Sequence, residues 1–308
     1  MANPSSAEPD SHLKGLELFN ALGGNAMHLH GEGGETHSRQ VTGEWLNAST
    51  NRDAFFLCNQ ICHDEWDEAT KSEIDRFLPD AVHEDIELDL RLIGTGHLDL
   101  VYLDDRPYQK LEPAIEAICR AISAGKVRAF GVRNFTAERL READQISRRL
   151  VGKGVAAIIT TELSPLVPRS PLWPGYVPFD LALRQAARDL DLVVFAHAED
   201  WALGYQVLED EVLRKRLRPD WVERWQHPDN AAIVQRIKVI AAGQQTSPRA
   251  VLISWLINQP FPVIPIVSLT TLLSDAGVEY FVGAATKSAN LAADVECKDG
   301  KPLKNNQA

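Results

Sequence analysis

Seven short, β-rich apolar runs recur along the chain, each reached through a stretch of helical length and periodicity. AMHLH (26–30) follows a helical stretch over 11–22 and the turn Gly23-Gly24-Asn25. AFFLCNQI (54–61) follows the helix around SRQVTGEWLNA, LDLVYLDD (98–105) follows HEDIELDLRLIG, and VRAFGVRN (127–134) follows PAIEAICRAISAGK. VAAIITTEL (155–163) follows TAERLREADQISRRL, LVVFAH (192–197) follows FDLALRQAARDLD, and VIPIVS (263–268) follows helices over 228–243 and 248–259. Parallel strands need a crossover, and a helix is the crossover that covers the sheet face. Because no glycine-rich phosphate loop follows any of the runs, the alternation favours a (β/α)8 TIM barrel over a doubly wound sheet. No fixed repeat and no low-complexity linker interrupts it. Residues 1–308 are expected to form one barrel domain with a flexible arm (1–10), a lid-like insert (200–228) and a flexible tail (297–308).

A closed barrel of this kind needs an eighth strand, and MANPSSAEPD is too short, polar and turn-rich to supply it. The first strand is expected to be missing or replaced. VEYFVGAA (278–285) is the candidate to cover the gap; pairing with a second copy, a homodimer, is the alternative.

The charge balance narrows the partners. Against 43 Asp+Glu stand 32 Lys+Arg, a net −11 with no basic stripe, which disfavours nucleic acid and anionic lipid and leaves a small molecule. The apolar runs fall short of a membrane span, and MANPSSAEPDSHLKG lacks the charged and apolar regions of a signal peptide. Cys58, Cys62, Cys119 and Cys297 are too few and scattered for a disulfide framework, and Cys58 and Cys62 are four apart rather than three. A reduced, cytoplasmic protein is expected.

Several segments together resemble the aldo/keto reductase family. GGNAMHLHGEGGETHSRQVTGEWL is similar to that family's Gly-Gly-Asn turn, strand, loop and Gly-Glu-Trp-Leu helix. Arg52-Asp53, LDLVYLDD, AGKVRAFGVRNF and PRAVLISWLINQPFPVIPI follow in the family's order, so the resemblance covers roughly residues 11–270. It implies the barrel fold, and it implies a site at the C-terminal mouth where Asp, Tyr, Lys and His reduce carbonyls with NADPH.

At those positions this chain differs. The Asp falls on His28, the Tyr near Gly33 or Gly34, the Lys on Gln60 and the His on Asp104. Hydride addition leaves an oxyanion that an acid must protonate, and glycine is no acid. The cofactor-binding positions differ as well. Ser-Asn reads Arg133-Asn134, a Gln falls on Thr160 or Thr161, and the nicotinamide-stacking aromatic falls on Ala196 beside His197. The basic phosphate-binding stretch reads Ser268-Leu269-Thr270-Thr271. The expectation is therefore a chain that binds no cofactor and has lost NADPH-dependent reduction.

The replacements carry chemistry of their own. His28 and His30 are two apart on a strand and share a face, while Asp104 and His197 end strands where barrel enzymes place catalytic groups. A carboxylate beside imidazoles is an acid–base set, and Gln60 can hydrogen-bond a substrate oxygen. Asp105, Arg106, Asn134, Glu199 and Trp201, at or just past the strand ends, are the candidates to hold a polar substrate. The favoured reading is a cofactor-free lyase, isomerase, hydratase or cyclase in a biosynthetic setting. Against it stand satisfied core histidines in a catalytically inactive homologue that binds a metabolite or partner, and an NADP-dependent oxidoreductase with a rearranged site. A divalent metal on His28, His30, Asp104 and His197, with His37 and His63 nearby, is a further alternative, although His-X-His arises often by chance. GEGGETH (31–37) lacks the Lys-Ser/Thr of a phosphate loop and reads as a mobile loop over the site.

Overall fold

The computed structural model describes residues 9–29, 36–49, 52–63, 65–67, 69–160, 163–170, 175–267, 297–298 and 301–302. The chain forms two compact units, Met1–Ile158 and Ile159–Ala308.

The first unit opens with α1 (Pro9–Ala21), β1 (Ala26–His28), α2 (Thr36–Ser49), a 3-10 turn (Arg52–Ala54) and β2 (Phe56–Ile61). Next come β3 (Glu65–Asp67) and β4 (Ser72–Ile74), an antiparallel hairpin that the sequence pattern does not announce. Alternation then resumes with α3 (Pro79–Ile93), β5 (Leu98–Asp104), α4 (Leu111–Ser123), β6 (Val127–Arg133), α5 (Ala137–Val151) and β7 (Ala157–Thr160), which crosses into the second unit. The sheet order β1-β2-β5-β6-β7 follows chain order, and β1–β2, β2–β5 and β5–β6 pair in parallel. Leu57 to Ile61 and Leu98 to Leu103 are buried at every position, the signature of a parallel sheet covered on both faces.

Local chemistry sets the ends. Thr136 caps α5 by accepting from the Arg139 amide, and Gly94 and Gly152 close α3 and α5 in the left-handed region at φ 70° and 72°. Gly43 lets α2 approach α3 closely: a Cβ there would lie 2.5 Å from the Ile93 carbonyl oxygen. Register is anchored at the N-terminal ends of the strands by the buried Asp99. It accepts from Arg52 (2.8 Å), the Leu57 amide (2.9 Å) and Arg128 (2.7 Å). Burial works to raise its carboxyl, but these donors outweigh it and hold Asp99 below the ordinary carboxylate range.

The second unit continues with α6 (Leu181–Asp189), capped by Asp180, then β8 (Val193–His197). The insert is helical, in three pieces: α7 (Ala198–Glu209), α8 (Glu211–Arg216) and α9 (Pro219–Trp225). Asp210 caps α8 and Pro219 starts α9, so the breaks fall where capping chemistry puts them. Then follow α10 (Pro228–Gly243), α11 (Pro248–Ile257), β9 (Val263–Ile266) and a short antiparallel pair, β10 (Cys297–Lys298) with β11 (Lys301–Pro302). Within this unit the strand order is β7-β8-β9, with β8 and β9 parallel. VEYFVGAA lies outside the described residues. No described helix is long and apolar enough to cross a membrane.

Candidate active site

Pairing in the first unit puts one set of side chains on one face. His28 is opposite Cys58, Gln60 opposite Tyr102, Tyr102 opposite Gly131, and Asp104 opposite Arg133. Paired residues share a face and every second residue returns to it, so His28, Gln60, Tyr102, Asp104 and Arg133 converge near the strand C-termini.

The contacts bear this out. His28 Nε2 lies 2.8 Å from the Tyr102 hydroxyl, and the rings stack with centroids 5.5 Å apart at 19°. Arg133 Nη1 donates to Gln60 Oε1 at 3.2 Å, and Arg133 Nε sits 4.0 Å from Asp104 Oδ2. Asn134, in the left-handed region at φ 57°, donates its amide to Asp104 Oδ1 at 2.7 Å. Burial pushes the Asp104 carboxyl above its ordinary range despite the pull of Arg133 and Asn134. A carboxyl poised this way is a stronger base than an exposed one.

Four sequence-nominated residues, His28, Gln60, Asp104 and Asn134, thus fall in one cluster. Asp105 is turned elsewhere. Its buried carboxylate accepts from Arg139 Nε (2.7 Å) and Nη2 (2.7 Å), and Arg139 also donates to the carbonyls of Arg106 and Gln109. The half-buried Arg106 donates to the Asp105 carbonyl and exerts its charge on Asp104 and Asp75. In the second unit, His197 ends β8 and forms the N-cap residue of α7, whose first turn carries Glu199 and Trp201. The side chains of Glu199 and Trp201, and all of His30, Gly33, Gly34, Thr161 and 268–271, lie outside the described residues. Among the described residues no group of three or more His, Cys, Asp or Glu is arranged to hold a metal ion. Burial pushes the Cys62 thiol up to about 12, and Cys58 and Cys119 upward too, so these three cysteines are packing groups rather than nucleophiles.

Tyr102 and Arg133 complete the cluster without having been nominated for catalysis. The signal was present: Tyr102 is two residues before Asp104, hence on its face, and Arg133 pairs with Asp104 across β6.

The model of the aldo/keto reductase family matches residues 27–274. This chain belongs to that family. Its fold is accordingly the (β/α)8 barrel of the aldo/keto reductases, and the strand–helix succession described above is the one that family uses. Curated relatives are distant. The aldo-keto reductase str7 of Strobilurus tenacellus is 25% identical across 83% of this chain and 72% of its own length. The aldo-keto reductase yakc [NADP(+)] of Schizosaccharomyces pombe is 20% identical across 74% of this chain and 65% of its own length. In this aldo/keto reductase family member, His28, Gln60 and Asp104 stand at the strand ends where the sequence resemblance puts the reducing Asp, Lys and His.

Proposed function

We propose that this family member is a cofactor-independent acid–base enzyme: a lyase, isomerase, hydratase or cyclase acting on a small polar or carbonyl-containing metabolite within a biosynthetic pathway. The observation that supports it best is the cluster itself, with His28 on Tyr102 and Asp104 raised by burial and oriented by Asn134. Asp104 is the proton acceptor for a C–H or O–H next to a carbonyl. Gln60, whose Oε1 is held by Arg133, offers its Nε2 donor to the substrate oxygen. His28 completes the acid–base set. Arg106 and Asn134 hold the substrate, and neither a nicotinamide nor a metal is required.

The test incubates the full chain with a panel of carbonyl metabolites in D2O and reads deuterium incorporation or product by mass spectrometry. General acid–base groups contribute about 10²–10⁴-fold, so His28→Ala and Asp104→Asn should each lower the rate by that much while remaining folded. A panel in which wild type and Asp104→Asn behave alike would favour an inactive, metabolite-binding homologue. The second reading, an NADP-dependent oxidoreductase with a rearranged site, is favoured by the NADP(+) in the name of the fission-yeast relative. With seven tryptophans as reporters, quenching by micromolar NADPH would establish it and overturn the cofactor-free reading.

A further inference from the structure

The Tyr102 phenol is fully buried, and its hydrogen-bond partners among the described residues can be named. The oxygen meets His28 Nε2 at 2.8 Å, and Arg133 hydrogen-bonds the same oxygen. Arginine carries donors only, so Arg133 fills a phenol lone pair and cannot take the phenol proton. Asp104 acts on the phenol only through its charge. Burial pushes Tyr102 far above its ordinary range, so its hydroxyl keeps its proton at every working pH. Among the described residues, that proton has one acceptor, the Nε2 lone pair of His28. A neutral imidazole that accepts at Nε2 carries its hydrogen on Nδ1.

We infer that Tyr102, itself oriented by Arg133, is a positioning residue that locks His28 in the Nδ1–H tautomer, so that the imidazole lone pair is taken up by the phenol and Asp104 is left as the base of the cluster. This rests on the acid–base reading above and divides its labour. Asp104 is the base, and His28 is held in a single tautomer. In one turnover the Asp104 carboxylate takes a proton from the carbon beside the carbonyl, and the C–H electron pair moves into the enolate. Negative charge growing on oxygen is held by the Gln60 amide. Return of the same proton from Asp104 to another carbon of the conjugated system gives the isomer, with no net change in protons or electrons. The substrate class this selects is an enolisable carbonyl compound.

The experiment is 1H–15N spectroscopy of the imidazole nitrogens in the full-length, 15N-labelled chain at pH 7.5, with His28 assigned by the signals lost in His28→Gln. Wild type is expected to show a protonated Nδ1 and a bare Nε2. Tyr102→Phe removes the donated proton and should move His28 toward the Nε2–H form. Arg133→Met keeps the phenol but frees it to accept, and should shift the balance the same way; it carries the test if Tyr102→Phe does not fold. A wild-type His28 protonated at Nε2, or a tautomer unmoved by the variants that fold, would overturn the inference. Because the readout is independent of turnover, a correct tautomer with no deuterium exchange in the metabolite panel would sink the acid–base reading and leave the lock standing.

Discussion

At the scale of single residues, two buried aspartates show how neighbours decide what a carboxyl does. Asp89, on α3, accepts from Arg39 at 2.8 Å and from the Asn59 amide at 2.5 Å. Burial nevertheless pushes it up to about 6. A folded pKa above the unfolded one means that the native state binds the extra proton, so this stability is full below about pH 4 and is lost as pH rises toward 6. Two units correspond to roughly 3 kcal/mol. The stability difference between wild type and Asp89→Asn, from urea midpoints, should therefore change by that order between pH 4 and 6.5; a flat difference would mean that Asp89 does not titrate there. Asp104 has a raised carboxyl for the same reason, but in the functional cluster. Asp104→Asn is expected to leave stability at pH 7 within about 1 kcal/mol of wild type, because removing a costly buried charge offsets the loss of its partners. The residues of this cluster were largely legible, since a period of two along β1, β2 and β5 puts 28, 60 and 104 at strand ends. Tyr102 was less legible because the family resemblance points to the loop after the first run for a tyrosine, while this one sits inside an apolar strand, one step back along the face of Asp104.

At the scale of elements, the boundaries of the buried strands were readable from apolar runs: 98–105 against the observed Leu98–Asp104, and 127–134 against Val127–Arg133. The run at 155–163 starts two residues late, at Ala157, and its strand is described as far as Thr160, with 161–162 outside the described residues. The β3–β4 hairpin was not legible, because EWD and SEI are three residues each and show no alternation above their acidic background. Helix contacts supply two further tests. Gly43→Ala would thrust a methyl onto the Ile93 backbone, which must give way; the overpacking of about 1–3 kcal/mol exceeds the helix-propensity gain of about 1 kcal/mol. A lowered midpoint with native circular dichroism is the expected result. Thr136→Ala, removing the α5 cap, should cost about 1 kcal/mol in the same assay.

At the scale of the whole molecule, a family scaffold fixes the strand–helix order, while the chemistry depends on a handful of side chains at the strand ends. That separation can be measured. Asp99→Ala takes the carboxylate from Arg52, at 17% side-chain exposure, which keeps only neutral acceptors, and leaves the Leu57 amide without its acceptor, so about 3–5 kcal/mol should be lost in denaturant unfolding. Substitutions at His28 or Asp104 should cost far less stability and far more activity. The Asp99 clamp joins the second residue of β2, of β5 and of β6, at the end of each strand remote from positions 60, 104 and 133. Strand alignment is thus held at the ends remote from the cluster, whichever side chains stand at positions 60, 104 and 133. Exchanging a lysine for Gln60 or a histidine for Asp104 cannot slip the ladder, so such a chain can be rewritten for new reactions one side chain at a time, each intermediate still folding. Evolvability here is a property of where the ion pairs were placed.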